Sequence, residues 1–283
     1  MHPVERSGKI RQIALLGNHL PRHCGIATFT TDLATAIEAE LQGVECAVLA
    51  MNDAGKRYAY GGRVRFEIAE SDPASYRRAT DFLNVGGADV LCLQHEYGIF
   101  GGRAGSHVLA LLREVRMPIV TTLHTILGEP SPDQRRVMDE IVRLSSRLVV
   151  MSERGRELVS AVHGVPDSKI DLIPHGIPSF PAAGASKERL GLEGKSVLFT
   201  FGLLSPDKGI EYVIDALPEV VARHPDAIYL VLGATHPQVK ERHGEAYRNS
   251  LELRARKLGV EASIIFHDRF VSTMELTEFL SAA

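Results

Sequence analysis

The sequence predicts an α/β protein with two doubly wound parallel sheets. Continuous apolar segments of strand length alternate with segments whose apolar residues recur at helical spacing. Strands that are apolar on both faces are typical of parallel sheets covered by helices on both sides. The alternation pauses at a stretch rich in Pro, Ala, Gly and Ser and then restarts. We therefore expect a first domain over residues 1–177, a linker over 178–194 and a second domain over 195–283.

The first domain is expected to alternate strands with helices. The apolar runs predict strands at 10–16, 46–50, 64–68, 90–94, 119–123, 148–151 and 169–173. Helical periodicity predicts helices at 26–41, 73–84, 106–116, 132–144 and 153–163. In the first of these helices one face carries the apolar residues Ile26, Phe29, Leu33, Ile37 and Leu41, which predicts that this face packs against the core.

The second domain shows fewer elements. Strands are predicted at 197–201, 228–232 and 263–266, and helices at 210–223, 245–258 and 273–281. A complete doubly wound domain has about five or six strands. We therefore interpret this domain as incomplete and the chain as C-terminally truncated, with a small complete domain as the alternative. An incomplete sheet leaves an open edge, which favours association through this domain.

Composition excludes several classes of protein. Lys and Arg total 32 and Asp and Glu total 35, so the net charge of −3 provides no positive field for a nucleic acid. Three cysteines without a CxxC pair fit a reducing compartment. No apolar run approaches the roughly 18 residues of a membrane span, and the start lacks an apolar signal core. We expect a cytoplasmic protein without a transmembrane segment, for which peripheral membrane contact stays open.

Residues that follow each strand are the candidate ligand contacts, because open α/β sheets bind ligands at the carboxyl ends of their strands. The first strand is followed by a loop from Gly17 to Gly25, and a helix then begins. Close backbone approach at Gly25 and the N–H groups after it suit an oxyanion or a sugar hydroxyl. His19 and His23 invite a metal interpretation, but Pro21 between them prevents a shared helical face, and we expect no metal site.

Two neighbouring strand exits carry histidines. Gln94-His95-Glu96-Tyr97 follows the fourth strand, and His124 follows the fifth. A buried histidine is often a satisfied structural group, but two at adjacent exits favour a binding site. We infer that His95, Glu96 and Tyr97 shape a sugar or acceptor pocket. His175-Gly176 lies at the domain boundary, where a hinge and a ligand contact are equally plausible.

The segment from Gly202 to Gly209 carries the strongest signal for a ligand. It joins a strand to a helix, and Lys208 is expected in the first helical turn. A cation at a helix N-terminus costs roughly 0.3–1 kcal/mol. That cost is offset if the ammonium and the helix N–H groups share an anion such as a phosphate.

Together these positions resemble glycosyltransferase family 4. The resemblance extends over the whole chain and includes the loop ending at Gly25, His124, Ser152-Glu153, Pro174-His175-Gly176-Ile177 and the segment from Gly202 to Gly209. It implies the GT-B fold, in which two Rossmann-like domains face a cleft. It also implies transfer of a sugar from a nucleotide donor with retention of anomeric configuration, without a metal or another cofactor.

The resemblance also implies roles for individual residues. His124 and Lys208 are the expected catalytic residues: Lys208 binds the donor diphosphate, and His124 contacts the transferred sugar. Gly25 lies beside the diphosphate in this scheme. His175 and Gly176 match a donor-site segment that often reads Asn-Gly. Gly202 and Gly209 flank the diphosphate-binding lysine.

Two departures from the family pattern stand out. The family usually has arginine where this chain has Leu203, and Arg269 is a candidate replacement. The family's pair of glutamates seven residues apart would come after residue 283. We expect a hexosyltransferase that uses a nucleotide diphosphate sugar and a saccharide or lipid-linked acceptor. The alternatives are a nucleotide-sugar epimerase on the same scaffold and a non-catalytic chain that binds sugar nucleotides.

Overall fold

The structure is a computed structural model that describes residues 9–177 and 186–283. The chain divides into two compact units, Met1–Gly176 and Ile177–Ala283. Residues 178–185, which form the first half of the predicted linker, lie outside the described residues.

The first unit contains a parallel sheet of seven strands in the order β3-β2-β1-β4-β5-β6-β7. The strands are β1 (Gln12–Gly17), β2 (Glu45–Asn52), β3 (Val64–Ala69), β4 (Val90–His95), β5 (Ile119–Leu123), β6 (Arg147–Val150) and β7 (Ile170–Leu172). The helices are α1 (Gly25–Glu40), α2 (Pro73–Gly86), α3 (Val108–Leu112), α4 (Pro132–Leu144) and α5 (Glu153–His163). The strand order reverses between β1 and β4, so the carboxyl ends of these two strands flank the crevice typical of doubly wound sheets.

Both faces of this sheet are buried, which confirms the interpretation of the continuous apolar strands. Ala14 and Leu16 of β1 belong to one core cluster, and Ile13 and Leu15 belong to the cluster on the other face. Successive side chains of a strand point to opposite faces, so a strand covered on both sides has to be apolar throughout.

The third helix is shorter than the sequence predicts. Helical periodicity indicates a helix over 106–116, but α3 spans only Val108–Leu112. A 3-10 turn, Arg103–Gly105, precedes it. Beyond its end, the Asn84 side-chain amide donates to the Glu114 carbonyl (3.0 Å) and accepts from the Arg116 N–H (2.9 Å). The backbone before Pro118 is therefore satisfied by a side chain instead of by another helical turn.

The second unit contains a parallel sheet of three strands in the order β10-β9-β8. They are β8 (Ser196–Phe201), β9 (Ala227–Leu232) and β10 (Ile264–His267), with helices α6 (Ser186–Arg189), α7 (Ile210–Arg223), α8 (Pro237–His243), α9 (Ala246–Lys257) and α10 (Thr273–Ala282). Every residue of the central strand β9 is buried, whereas β8 at the edge is partly exposed.

Part of the predicted linker belongs to this second unit. Residues 186–194 contain α6, and Leu192 is buried in a cluster with Leu230 and Phe279. The second half of the predicted linker is thus a short helix with a buried leucine after it. Helix α8 has no counterpart in the sequence prediction, because Pro237–His243 has no apolar period.

Candidate functional site

The loop after β1 is fixed by a small polar network. The Arg22 guanidinium donates to Asn18 Oδ1 (2.7 Å) and to Asp53 Oδ1 (2.7 Å), and Asn18 donates to the Cys24 sulfur (3.1 Å). Cys24 in turn accepts from the Ala27 N–H at the start of α1. The cysteine thus acts as the helix cap, the position that Ser, Thr, Asp and Asn usually occupy.

Gly25 is the first residue of α1 and faces open space. A Cβ added there would meet no atom within 4 Å. Neither a close packing contact nor a positive φ requires glycine at this position. The room above the backbone is compatible with the predicted ligand approach.

At the exits of β4 and β5 the structure brings His124 together with Gln94. The His124 Nε2 lies 3.0 Å from Gln94 Oε1. The His124 backbone N–H donates to the His95 carbonyl (3.0 Å), which continues the pairing of β4 with β5. Burial, and secondarily the nearby His175, lower the pKa of His124 to about 4. The imidazole is therefore neutral at pH 7.

Phe29 connects His124 with His175. Its ring meets the His124 ring edge-on, with centroids 4.8 Å apart and planes at 88°, and meets the His175 ring at 5.1 Å and 70°. The two predicted donor-side histidines thus lie on one aromatic side chain of α1. His175 is exposed, and its Nδ1 lies 2.7 Å from the Gly176 carbonyl oxygen, which accepts a hydrogen bond from it.

His95 and Tyr97 pack beneath the strand exit instead of lining an open surface. His95 is 0% exposed, edge-on to Tyr97 and stacked on Phe100. Neither its ring nitrogens nor the Tyr97 hydroxyl has a hydrogen-bond partner within the described ranges. Burial lowers the pKa of His95 to about 3. Of the predicted pocket residues, Glu96 remains partly exposed, and its carboxylate accepts from the Thr125 hydroxyl.

In the second unit, Lys208 lies beside the backbone of Gly202. Lys208 is the last residue of a 3-10 turn, Pro206–Lys208. Gly209, in a left-handed conformation at φ 65°, separates this 3-10 turn from α7. The prediction that Lys208 lies in the first turn of the helix is therefore wrong. The exposed Lys208 Nζ is 3.9 Å from the position that a Cβ on Gly202 would occupy. Among the residues that the structure describes, Lys208 has no ion-pair partner.

The exits of β8 and β9 are in backbone contact. A Cβ on Gly233 would lie 1.9 Å from the Gly202 carbonyl oxygen, so no side chain fits there. Gly202 has φ 118° and Gly233 has φ 151°, conformations that other residues rarely adopt. The Gly202 N–H donates to the Leu232 carbonyl (3.0 Å), and the Gly233 N–H donates to the His267 carbonyl (2.9 Å). These hydrogen bonds connect the carboxyl ends of β8, β9 and β10.

This edge offers positive potential to an anion. Gly209 caps α7 without a side-chain hydrogen bond, so no side-chain acceptor occupies the N-terminal N–H groups of that helix in the described chain. The helix dipole adds partial positive charge there. Lys208 stands next to this helix end, and the combination suits a phosphate.

Two other cations of the second unit are already paired. Arg269 donates to Glu275 Oε1 (2.7 Å), and Glu275 also belongs to the capping box of α10. Arg248 pairs with Glu245, Glu252 and Asp268. Leu203 offers no charge. Lys208 is thus the cation that remains available beside Gly202 in the described part of this unit.

Models of known protein families match the two units separately. Residues 24–179 match the model for Glycosyltransferase Family 4, and residues 184–283 match that for Glycosyl transferases group 1. The chain belongs to glycosyltransferase family 4. This confirms the resemblance that the strand-exit residues indicate.

The most informative relatives of this family 4 chain are named for mannosyl transfer. It is 31% identical over 193 residues to a phosphatidyl-myo-inositol mannosyltransferase of Mycobacterium tuberculosis, covering 64% of this chain and 46% of the relative. It is 30% identical over 129 residues to a mannosylfructose-phosphate synthase of Agrobacterium fabrum, covering 43% of this chain and 27% of that relative. The chain therefore spans less than half the length of these relatives.

Solved structures support the fold of the family 4 chain. Sucrose-phosphate synthase from Thermosynechococcus elongatus aligns with a TM-score of 0.74 at 16% identity, over 96% of this chain and 74% of that one. Anabaena HepE in complex with UDP aligns with a TM-score of 0.64 at 17% identity, over 96% and 72%. The expected GT-B fold is confirmed, with α/β units of parallel strands.

Sequence reasoning missed two residues of the first unit's site. Phe29 looks like a core residue, because it shares an apolar helical face with Ile26 and Leu33, yet it packs on two histidine rings. Gln94 stands in the strand exit but was not among the predicted site residues. The signal that would have found it is a buried amide one residue before a strand-exit histidine.

No helix in the described ranges is long and apolar enough to cross a membrane.

Proposed function

We propose that this family 4 chain serves the transfer of a hexosyl group, with retention of configuration, from a nucleotide diphosphate sugar to a hydroxyl of a saccharide or lipid-linked saccharide. The observation that carries the proposal is the Lys208 ammonium beside Gly202, which has no ion-pair partner among the described residues and lies next to the start of α7, where the described chain places no side-chain cap. This arrangement suits the phosphate that leaves when the donor is cleaved.

We take GDP-mannose as the first donor to test. The relatives from M. tuberculosis and A. fabrum are named for mannosyl transfer. A further relative from Mycolicibacterium smegmatis, 29% identical over 149 residues, is named as GDP-mannose-dependent. The acceptors in these names are a phosphatidylinositol derivative and a sugar phosphate, which agrees with the acceptor class proposed.

The proposed mechanism is a front-face displacement. The bond between the anomeric carbon and the leaving phosphate oxygen breaks, and the acceptor oxygen bonds to the same carbon from the same face. The acceptor proton passes to the leaving phosphate. Lys208 and the helix N–H groups stabilise the charge that develops on this phosphate, which is where preorganised electrostatics contribute most. The ammonium supplies the neutralising charge, so the scheme requires no metal.

In the first unit His124 is the residue proposed to contact the transferred sugar. Because its pKa is about 4, it acts as a neutral hydrogen-bonding group and not as a cation. Glu96 already accepts a hydrogen bond from Thr125. The mechanism requires no covalent intermediate on this carboxylate.

Binding of nucleotides to the chain tests the proposal. We expect GDP and GDP-mannose to bind, and Lys208→Met to weaken both by roughly 10- to 150-fold, the equivalent of about 1.5–3 kcal/mol for a charge-assisted contact. Lys257→Met removes an exposed lysine of α9 and is the matched control, with an expected change below about twofold. Calorimetry with GDP, UDP and their sugars measures this. Equal affinity of the Lys208 variant and the wild type would overturn the proposal.

One observation favours a second function. Leu203 stands where the family usually carries arginine, which fits a chain that binds sugar nucleotides without catalysis. Incubation with GDP-mannose and phosphatidylinositol or a sugar phosphate separates the two functions. Donor binding that depends on Lys208, together with no glycosylated product from any acceptor, would favour the non-catalytic chain.

A further inference from the structure

We propose that Gln94 is a positioning residue for His124: its side-chain carbonyl holds the imidazole in the Nε2–H form, which leaves Nδ1 as the hydrogen-bond acceptor for a sugar hydroxyl. This inference rests on the proposed function for the identity of the hydroxyl. The ring geometry and the tautomer stand without it.

Gln94 and His124 are in direct side-chain contact. Gln94 Oε1 lies 3.0 Å from His124 Nε2, which is hydrogen-bonding distance. With the Gln94 carbonyl oxygen facing the ring, the tautomer that makes this hydrogen bond carries its proton on Nε2, because a carbonyl oxygen only accepts. A neutral imidazole has one donor and one acceptor nitrogen, and the proton on Nε2 leaves a lone pair on Nδ1.

The Gln94 side chain is confined by its neighbours. Its side chain is buried, with the residue 1% exposed, and it lies on β4 between β1 and β5. On the β1 side, a Cβ on Gly17 would lie 2.9 Å from Gln94 Cβ and 3.4 Å from Cγ. Glycine at the end of β1 therefore leaves the room that the Gln94 side chain occupies.

The His124 ring is held from two further sides. Phe29 meets the His124 ring edge-on at 4.8 Å, and the His124 backbone N–H is held by the His95 carbonyl. Phe29 and the backbone restrict the ring plane, and Gln94 then decides which nitrogen carries the proton. Because burial keeps the ring neutral at pH 7, the choice of tautomer determines what it offers a substrate.

Nitrogen NMR of 15N-histidine-labelled protein tests the tautomer without any substrate. We expect His124, assigned by comparison with His124→Phe, to show a protonated Nε2 and an unprotonated Nδ1 in the wild type. Gln94→Met keeps the volume but removes the carbonyl, and a mixture of both tautomers should appear. A wild-type ring protonated at Nδ1, or an unchanged tautomer in Gln94→Met, would overturn the proposal.

Two further variants separate positioning from folding. Gln94→Glu places a carboxylate on the ring and should raise the pKa of His124 by about one to three units, the effect of an opposite charge in contact. An unmoved pKa would contradict the contact. Thr121 lies on β5, the strand that leads to His124, and Thr121→Val removes its buried hydrogen bond with Ser145 at the end of α4. This control perturbs the sheet without removing the Gln94 carbonyl, and it should leave the tautomer unchanged. A tautomer shift in that control would assign the effect to the sheet and overturn the specific role of Gln94.

Turnover adds a readout for the proposed function. With GDP-mannose and an acceptor, Gln94→Met should lower kcat roughly tenfold or more while donor affinity changes less than threefold, because the charged contact proposed for the diphosphate, Lys208, lies on the second unit. If Lys208→Met leaves nucleotide binding intact, the proposed function fails, yet the NMR result for Gln94 still stands or falls alone.

Discussion

The two units differ in the chemical groups that they place at the carboxyl edges of their sheets. In the first unit the edge consists of enclosed, uncharged side chains: Gln94, His95 and His124 are buried or largely so, and both imidazoles are neutral at pH 7. In the second unit the edge consists of glycine backbone at Gly202 and Gly233 and an exposed ammonium on Lys208.

Under the proposed function, this contrast corresponds to two kinds of recognition. Neutral side chains with fixed donors and acceptors discriminate among hydroxyl groups, which carry no charge. An ammonium and free backbone N–H groups suit a diphosphate, whose charge is the same whichever sugar it carries. The first edge should therefore be sensitive to side-chain shape and pH, and the second to backbone geometry and charge.

The largest effect expected from this contrast follows a change of backbone in the second unit. Gly233→Ala would place a Cβ 1.9 Å from the Gly202 carbonyl oxygen at a φ of 151°. Such backbone strain costs about 1–3 kcal/mol, and displacement of the Gly202 backbone adds to this cost. We therefore expect the free energy of unfolding to fall by about 3 kcal/mol or more. Hydrogen exchange at the amides of β8 and β9 measures the loss locally.

The matched control for this variant is Gly244→Ala. Gly244 also has a positive φ, 58°, but a Cβ there would meet no atom within 4 Å. Gly244→Ala should lower the free energy of unfolding by about 1–2 kcal/mol, because only the backbone conformation opposes the new side chain. If both variants lose equal protection, the contact between the two strand exits does not hold the second edge together.

The next effect concerns enclosure in the first unit. The pKa of His95 is about 3 in the folded protein and about 6.5 in an unfolded chain, so the unfolded state binds the proton more readily between these values. The free energy of unfolding therefore falls as the pH drops below about 6.5, by about 2 kcal/mol between pH 7 and pH 5 from this residue. Above pH 7 the residue contributes no pH dependence.

His95→Phe removes this titration and keeps an aromatic ring against Tyr97. Urea unfolding at pH 7 and pH 5 measures the change. Between these two pH values, the free energy of unfolding of the variant should fall by about 2 kcal/mol less than that of the wild type. Comparison of each protein with itself at two pH values cancels the constant effect of the substitution. Equal losses would mean that His95 is hydrated in solution, and the contrast between the two edges would weaken.

The same contrast explains what the sequence can and cannot reveal. Strand exits are visible because apolar runs end at them, and this rule locates His124 and Lys208 without any structure. It cannot tell which side chains face a ligand and which pack below. His95 and Tyr97 follow the strand as predicted, but the chain turns them inward into the core.

Residues that act through another residue are harder to predict. Phe29 follows the helical period of a core face, and only the fold places that face against His124 and His175. The role of Gly17 depends on the side chain of Gln94 from a strand far along the chain. Local pattern carries no information about such pairs, because the sheet order brings them together.

The smallest effect is expected at Arg269, the candidate replacement for the arginine missing at Leu203. Its guanidinium donates to Glu275, and both side chains are about half exposed, so solvent screens the pair and it contributes little to stability. We expect Arg269→Gln to change the affinity for GDP less than threefold, because Glu275 already neutralises the charge. Calorimetry beside Lys208→Met measures both under the same conditions. A loss of tenfold or more would mean that Arg269 leaves Glu275 to bind the nucleotide, and the second edge would then depend on two cations instead of one.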